Sequence, residues 1–224
     1  MTDTSLASRL AMVRAGIDEA ARSAGRSADE LTLIVVTKFH PAGLVRELLE
    51  LGVTEFGENR HQEASAKATE LAGTAARWHF IGQLQSAKAR AVAEYASAIH
   101  SVDRDSLVTA LAGARRVDCF IQVNLSGDPG RGGVDEAGLE ALTVRVLGTD
   151  SLRLRGIMAV APLNEEPASA FARLRTLSER LRELAPQATE ISAGMSHDYA
   201  AAIREGATHL RIGSAITGNR PTPR

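Results

Sequence analysis

A lysine directly after an apolar run is the first residue here that could do chemistry. Lys38 follows the segment LTLIVVT at 31–37, whose composition is typical of a buried β-strand. An amine at such a strand end loses hydration, and this favours the neutral form that attacks an aldehyde. A lysine whose amine simply reaches water explains the same position equally well. Position alone therefore leaves Schiff-base chemistry and a solvated cation as equal alternatives.

Lysine is rare in this chain. Of 26 basic residues only Lys38, Lys67 and Lys88 are lysines, and the remaining 23 are arginines. Arginine can replace lysine as a surface charge, but not as a primary amine that must lose its proton and attack a carbonyl. The positions where lysine persists are therefore of particular interest.

Two glycine-containing segments near the C-terminus form a second group of candidates. SAGMSHDY at 192–199 and HLRIGSAITG at 209–218 each predict a strand, a glycine, a serine and the start of a helix. Two such junctions side by side can offer backbone N–H groups and hydroxyls to one phosphate group. We favour this phosphate site over a pair of ordinary turns.

The elements that must position these residues alternate along the chain. Eight short apolar runs predict strands at 31–37, 53–56, 78–82, 98–102, 117–124, 152–160, 189–192 and 208–212. Helical patterns are predicted at 6–24, 41–51, 60–72, 86–95, 104–115, 135–147, 165–184 and 197–205. Strands that are apolar on both faces are typical of a parallel sheet covered by helices. This order predicts one α/β domain over residues 1–224, a TIM-type (β/α)8 barrel with an extra N-terminal helix, with a doubly wound open sheet as the alternative.

Composition argues against several classes of function. A net charge of −1 provides no basic field for nucleic acid, and the longest strongly apolar run, Leu33–Val36, is far too short to span a bilayer. The N-terminus lacks the apolar region of a signal peptide, which predicts a cytoplasmic protein. The only cysteine, Cys119, lies in an apolar stretch and is expected to be buried. The six histidines show no paired metal-ligand spacing, so no metal site is expected.

Read in order, a set of motifs resembles the pyridoxal 5'-phosphate (PLP) homeostasis protein family. These motifs are VVTKFHP, EFGENRHQEA, WHFIGQLQSAK, HSVDR, QVNLSGD, LRGIMAVAP, SAGMSHDYAAAI and THLRIGSAITG. The resemblance covers nearly all of the chain after the first helix, and the joint order of the motifs is highly specific. It implies a barrel like the N-terminal domain of bacterial alanine racemase, with PLP held as a Schiff base on Lys38.

The resemblance also implies roles for residues other than the lysine. Ser196, Gly213 and Ser214 would hold the phosphate group of PLP. Arg211 would lie at the cofactor, near either its pyridine nitrogen or its phosphate, and Asn59 would be a neighbour of its ring. The chain departs from the family pattern at Ala87, where asparagine is usual, and at Thr217, where an aromatic residue is usual. These departures concern secondary contacts rather than the Schiff base.

The function expected from this resemblance is storage, buffering or delivery of PLP, without turnover. PLP and recipient apo-enzymes would be the partners, and the chain is expected to be a monomer with no nucleic-acid or membrane partner. Two rival functions are an amino-acid racemase that uses PLP and a Schiff-base aldolase that acts on a sugar phosphate, since both need a barrel lysine and the aldolase also needs a phosphate site.

Overall fold

Eight parallel strands form a closed barrel in the structure, a computed structural model that describes residues 5–128 and 130–218. The strands are β1 (Thr32–Val36), β2 (Glu55–Glu58), β3 (Arg77–Phe80), β4 (Ala96–Val102), β5 (Val117–Gln122), β6 (Leu152–Met158), β7 (Glu190–Ser192) and β8 (His209–Ile212). Each strand pairs with its sequence neighbour, and β8 pairs with β1 to close the ring. The predicted barrel is confirmed, and the open-sheet alternative is wrong because β1 and β8 are not edges.

Helices follow the strands and surround the barrel. They are α1 (Leu6–Ser23), α2 (Ala42–Glu50), α3 (His61–Glu70), α4 (Ala89–Tyr95), α5 (Asp105–Leu111), α6 (Leu139–Leu147), α7 (Pro167–Leu184), α8 (Tyr199–Arg204) and α9 (Ser214–Thr217). Short 3₁₀ turns span Ala28–Glu30 and Ser86–Lys88. Among the described residues, no helix has both the length and the apolar character needed to cross a membrane.

The extra helix α1 forms because its apolar residues recur on one face. Leu10, Val13 and Ile17 are buried, and the Ser5 hydroxyl accepts a hydrogen bond from the Ser8 N–H at the start of the helix. This face packs on α8 and α9. The helix therefore braces the two helices that follow the predicted phosphate junctions.

The barrel interior differs from the sequence expectation. The main apolar core lies between the strands and the surrounding helices, where the strands are apolar as predicted. Inside the barrel, however, His79, His100, Ser192 and Arg211 are buried together with a small apolar cluster around Phe120. The prediction of strands apolar on both faces was therefore wrong for the inner face, which contains hydrogen-bonded polar groups.

Candidate functional site

The predicted cofactor residues lie at the C-terminal ends of four strands. Lys38 follows β1, Asn59 follows β2 and Ser196 follows β7. Arg211 is the penultimate residue of β8, and Gly213 and Ser214 come directly after that strand. The strands β7, β8, β1 and β2 are consecutive neighbours around the barrel. The structure therefore brings all six residues to one arc of the barrel mouth, where barrel enzymes and binding proteins place their ligands.

The turn after β8 lies against the strand that precedes Lys38. A Cβ atom added to Gly213 would stand 3.4 Å from the Val36 Cβ atom and 3.5 Å from the Val36 carbonyl oxygen. Because Val36 ends β1, this close approach sets the Gly213–Ser214 turn beside the segment that carries Lys38. The amine and the predicted phosphate-binding turn thus share one side of the mouth.

The junction after β7 depends on a glycine. Gly194 has φ of +93°, and a Cβ atom there would come within 2.9 Å of the Ala202 side chain. Its carbonyl oxygen accepts a hydrogen bond of 2.9 Å from the backbone N–H of Arg211. The segment that leads to Ser196 is therefore fixed to β8, as two adjoining phosphate junctions require.

Asn59 carries a buried polar atom that has no hydrogen-bond partner among the described residues. Its backbone packs tightly on Gly82, where a side chain would overlap the Asn59 carbonyl oxygen. Its side-chain Oδ1 atom is buried and makes no hydrogen bond to any of the described residues. Buried side-chain polar atoms are rarely left unpaired, so this oxygen suits a donor supplied by a ligand.

Lys38 lies between two residues that are held in place. The Thr37 hydroxyl donates a hydrogen bond of 2.7 Å to a carboxylate oxygen of Glu58. On the other side Phe39 has φ of +68°, which is costly for a residue with a side chain, and its N–H donates to the Glu63 carboxylate at 2.9 Å. The Lys38 side chain itself is half-buried. Its backbone is thus fixed while the residue stays partly exposed.

A buried ion pair supports this segment from below. The Lys67 Nζ atom lies 2.5 Å from a Glu58 carboxylate oxygen and donates at 2.8 Å to the Thr37 carbonyl oxygen. Both side chains are less than a tenth exposed. Burial raises the pKa of Glu58, and the ammonium of Lys67 and the Thr37 hydroxyl act against that rise. The pair fixes both the hydroxyl and the carbonyl of the residue before Lys38.

Arg211 is buried inside the barrel rather than facing solvent at the rim. Its guanidinium donates to the Ser192 hydroxyl at 2.6 Å and to the Ala159 carbonyl oxygen at 2.9 Å. Burial lowers the pKa of Arg211 to about 10, so it remains a cation at neutral pH. Its position brings one positive charge to the inner wall of the site.

Sequence reasoning missed three groups that support the site, namely Glu58, Lys67 and Ser192. Glu58 lies in the EFGENRHQEA motif, and Lys67 is one of three lysines in a chain that otherwise uses arginine. The rarity of lysine was therefore a signal for Lys67 as well as for Lys38. Ser192 opens the SAGMSHDY segment, but nothing in the sequence distinguished its role from that of a phosphate-binding serine. Across residues 5–128 and 130–218, no group of three or more His, Cys, Asp or Glu side chains could hold a metal ion.

Comparisons with known proteins give a consistent result. Residues 8–221 match the family described as alanine racemase, N-terminal domain. The pyridoxal phosphate homeostasis protein of Corynebacterium glutamicum is 42% identical over 221 residues, an alignment that covers 93% of this chain and 99% of the relative.

Solved structures agree with the sequence comparison. The structure of PipY from Synechococcus elongatus with PLP bound has a TM-score of 0.82 and 36% identity, covering 96% of this chain and 100% of PipY. Alanine racemase from Corynebacterium glutamicum has a TM-score of 0.70 and 15% identity, covering 91% of this chain and 59% of the racemase. At that identity the racemase shows a shared fold alone.

Proposed function

This chain belongs to the pyridoxal phosphate homeostasis protein family, and we propose that it binds PLP through Lys38 and stores, buffers or delivers it without turnover. The observation that carries the proposal is the placement of Lys38. Its amine stands at the end of a barrel strand, on a backbone fixed on both sides, beside the Gly213–Ser214 turn. An amine so placed can form a Schiff base with an aldehyde whose phosphate lies on the neighbouring turn.

The other residues of the mouth fit the chemical groups of PLP. The first N–H groups of a helix have no intrahelical acceptors, and α9 begins at Ser214, which adds an exposed hydroxyl. Ser196 adds a second hydroxyl from the neighbouring junction. The unpartnered oxygen of Asn59 suits a polar substituent of the ring. We therefore assign the phosphate to Ser196, Gly213 and Ser214, and the ring to the vicinity of Asn59.

For Arg211 we propose a place at the pyridine nitrogen rather than at the phosphate. Its guanidinium is held by groups on β7 and just after β6, inside the barrel, whereas the phosphate turns lie at the rim. PLP supplies an electron sink through its ring when that nitrogen is protonated. A cationic arginine beside the nitrogen disfavours that proton, which supports a binding role over catalysis.

Absorbance and mass measurements test the proposal as a whole. The purified protein mixed with PLP should show a visible absorption band, and borohydride reduction should add one PLP mass per chain. A Schiff-base aldolase would instead be trapped by reduction with a sugar phosphate and would stay colourless. Failure of the wild-type chain to gain either band or mass would contradict the proposal.

The phosphate assignment gives a first prediction. Changing Ser196 and Ser214 to alanine together should weaken PLP binding by about 1–3 kcal/mol, the scale of hydrogen bonds to charged groups. The reducible adduct with Lys38 should still form at high PLP concentration, because the amine is intact. Titration of the visible band measures the affinity. As a matched control, Ser86→Ala and Ser126→Ala together should bind like the wild type. Wild-type affinity in the Ser196/Ser214 double variant would place the phosphate elsewhere.

We also propose that no amino acid is turned over, because neither of the two tyrosines is placed to act as a second base. Racemisation needs proton donors and acceptors on opposite faces of the substrate. The Tyr199 hydroxyl lies directly over Gly16 of α1, where it packs. Tyr95 stacks on His61, and burial together with the Glu58 charge raises its pKa above the usual value. Neither tyrosine is placed or tuned to act as a base.

This absence of turnover gives a second prediction. With the PLP-loaded protein in deuterated water, NMR should show no α-proton exchange of L-alanine above that caused by free PLP. Lys38 can serve one face of a substrate, and neither Tyr95 nor Tyr199 is placed to serve the other. Sustained exchange that disappears in Lys38→Ala would establish an enzyme of the racemase class instead.

We also propose a cellular compartment, an oligomeric state and partners for this protein. We expect a cytoplasmic monomer that gives PLP to recipient apo-enzymes, with no nucleic-acid or membrane partner. The near-neutral net charge of −1 supports the last point. Light scattering measures the oligomeric state, and transfer of PLP to an added apo-enzyme, followed by that enzyme's activity, measures delivery.

A further inference from the structure

We infer that Ser192 and His100 are positioning residues, which hold the Arg211 guanidinium for the cofactor through a hydrogen-bond relay that crosses the barrel interior to Glu55. The inference rests on the proposed function, since it takes PLP as the group that Arg211 faces. It adds a set of residues that lies inside the barrel and to which the sequence analysis assigned no role.

The relay consists of four consecutive hydrogen bonds. Arg211 lies 2.6 Å from the Ser192 hydroxyl, and that hydroxyl lies 2.8 Å from Nδ1 of His100. Nε2 of His100 lies 2.8 Å from Nδ1 of His79, and Nε2 of His79 lies 2.7 Å from a Glu55 carboxylate oxygen. The five side chains come from five strands: β8, β7, β4, β3 and β2.

Chemistry fixes the direction of every bond when both imidazoles are neutral. A guanidinium only donates and an ionised Glu55 carboxylate only accepts, so with neutral imidazoles the Ser192 oxygen accepts from Arg211 and its own O–H donates to His100. Nδ1 of His100 is then an acceptor, which leaves the proton of that ring on Nε2, directed at Nδ1 of His79. The proton of His79 in turn lies on Nε2 and is donated to Glu55. Each donor points from the cation towards the carboxylate.

The direction of these hydrogen bonds matters because the side chains that form them are buried. Ser192 and His100 are fully buried, and Arg211 is 5% exposed. The guanidinium bonds within the described chain go to uncharged acceptors, the Ser192 hydroxyl and the Ala159 carbonyl. Chains of hydrogen bonds polarise one another in a low-dielectric interior, so a relay ending on a carboxylate makes Ser192 a stronger acceptor for the buried cation. Arg211 is thereby held in one orientation by uncharged acceptors.

The groups around His100 favour its neutral form. Burial lowers its pKa far below the usual value, and the positive charge of Arg211 acts in the same direction. The ring also stacks on Phe120, with centroids 4.3 Å apart. The imidazole is therefore fixed in position and in charge, as a linking group between Ser192 and His79 must be.

NMR on the PLP-free chain at pH 8 tests the relay directly. Long-range ¹H–¹⁵N spectra distinguish protonated from unprotonated imidazole nitrogens. We expect protons on Nε2 and none on Nδ1 in both His79 and His100. A proton on Nδ1 of either ring would reverse a bond of the relay and overturn the inference, and this result does not depend on PLP.

The role towards the cofactor is tested by Ser192→Ala with Ser101→Ala as the matched control. Ser101 is equally buried on β4, but its hydroxyl has no hydrogen-bond partner among the described residues. Loss of one hydrogen bond to a charged group should weaken PLP binding about tenfold in Ser192→Ala and shift the absorption maximum of the bound cofactor. Ser101→Ala should match the wild type in both measurements.

The possible failures are distinguishable. If the wild type and Ser192→Ala bind PLP with the same affinity and spectrum, the inference is wrong and the proposed function stands. If the wild type does not bind PLP, the proposed function fails, and the role given to Ser192 fails with it. A purely structural role for Ser192 would lower the free energy of unfolding but leave the absorption maximum unchanged, which would also contradict the inference.

Discussion

Replacing Lys38 with arginine or alanine is expected to abolish the reducible PLP adduct completely. Arginine keeps the positive charge and a long stem, but its guanidinium does not attack an aldehyde under these conditions. Both variants should therefore lose the borohydride-stable mass, and peptide mapping of the reduced wild type should find the adduct on Lys38. Residual PLP binding should remain in both, through the phosphate turns.

The other two lysines serve as internal controls for this experiment. Lys88 is exposed, and Lys88→Ala should form the adduct with wild-type yield. Lys67 is engaged with Glu58 and the Thr37 carbonyl, so its amine is not available to an aldehyde. An adduct mapped to Lys67 or Lys88, or an undiminished adduct in Lys38→Ala, would contradict the assignment.

The strands of this fold could be predicted because each is a short apolar run bounded by turn residues. The run before Lys38 is confirmed as β1, and the eight runs are confirmed as the eight strands of the barrel. Strand ends were less predictable, because residues such as Val53 are apolar and buried and yet lie outside the strand. Hydrophobic character reports burial, and burial continues beyond the last ladder hydrogen bond.

The site was only partly predictable. Lys38, Gly194 and Gly213 stand at strand ends, where residue type and position indicate function in a barrel. Contacts between distant segments leave no such local trace. The Glu58–Lys67 pair and the Ser192–His100 bond join residues 9 and 92 positions apart, respectively, and no periodicity in the sequence reports them.

The barrel mouth is thus supported by two separate polar systems. One fixes the Lys38 segment through Thr37, Glu58 and Lys67. The other fixes Arg211 through Ser192 and the histidines inside the barrel. Since a binding site must hold its groups in place before the ligand arrives, we interpret both as preorganisation of the PLP site.

Replacing Lys67 with methionine should cause the largest loss of stability of any single change at the site. The variant leaves the Glu58 carboxylate buried without its counter-charge, and removing one partner of a buried pair costs about 3–5 kcal/mol. Denaturant unfolding at pH 7 measures this as a lower free energy of unfolding. The control Lys88→Met removes an exposed lysine and should stay within about 0.5 kcal/mol of the wild type.

The pH dependence identifies the cause of that loss. Burial already raises the pKa of Glu58 in the folded protein, and removal of the Lys67 ammonium should raise it further. Between the unfolded and folded pKa values the folded state binds more protons, so the stability of Lys67→Met should increase as pH falls from 8 to 5. Changing Glu58 to glutamine in the same chain should recover part of the loss at pH 7 and remove this pH dependence. If Lys67→Met lowers the free energy of unfolding by the same amount at pH 8 and at pH 5, lost packing rather than an uncompensated carboxylate is the cause. The ion pair then does not fix the Lys38 segment in the way we describe.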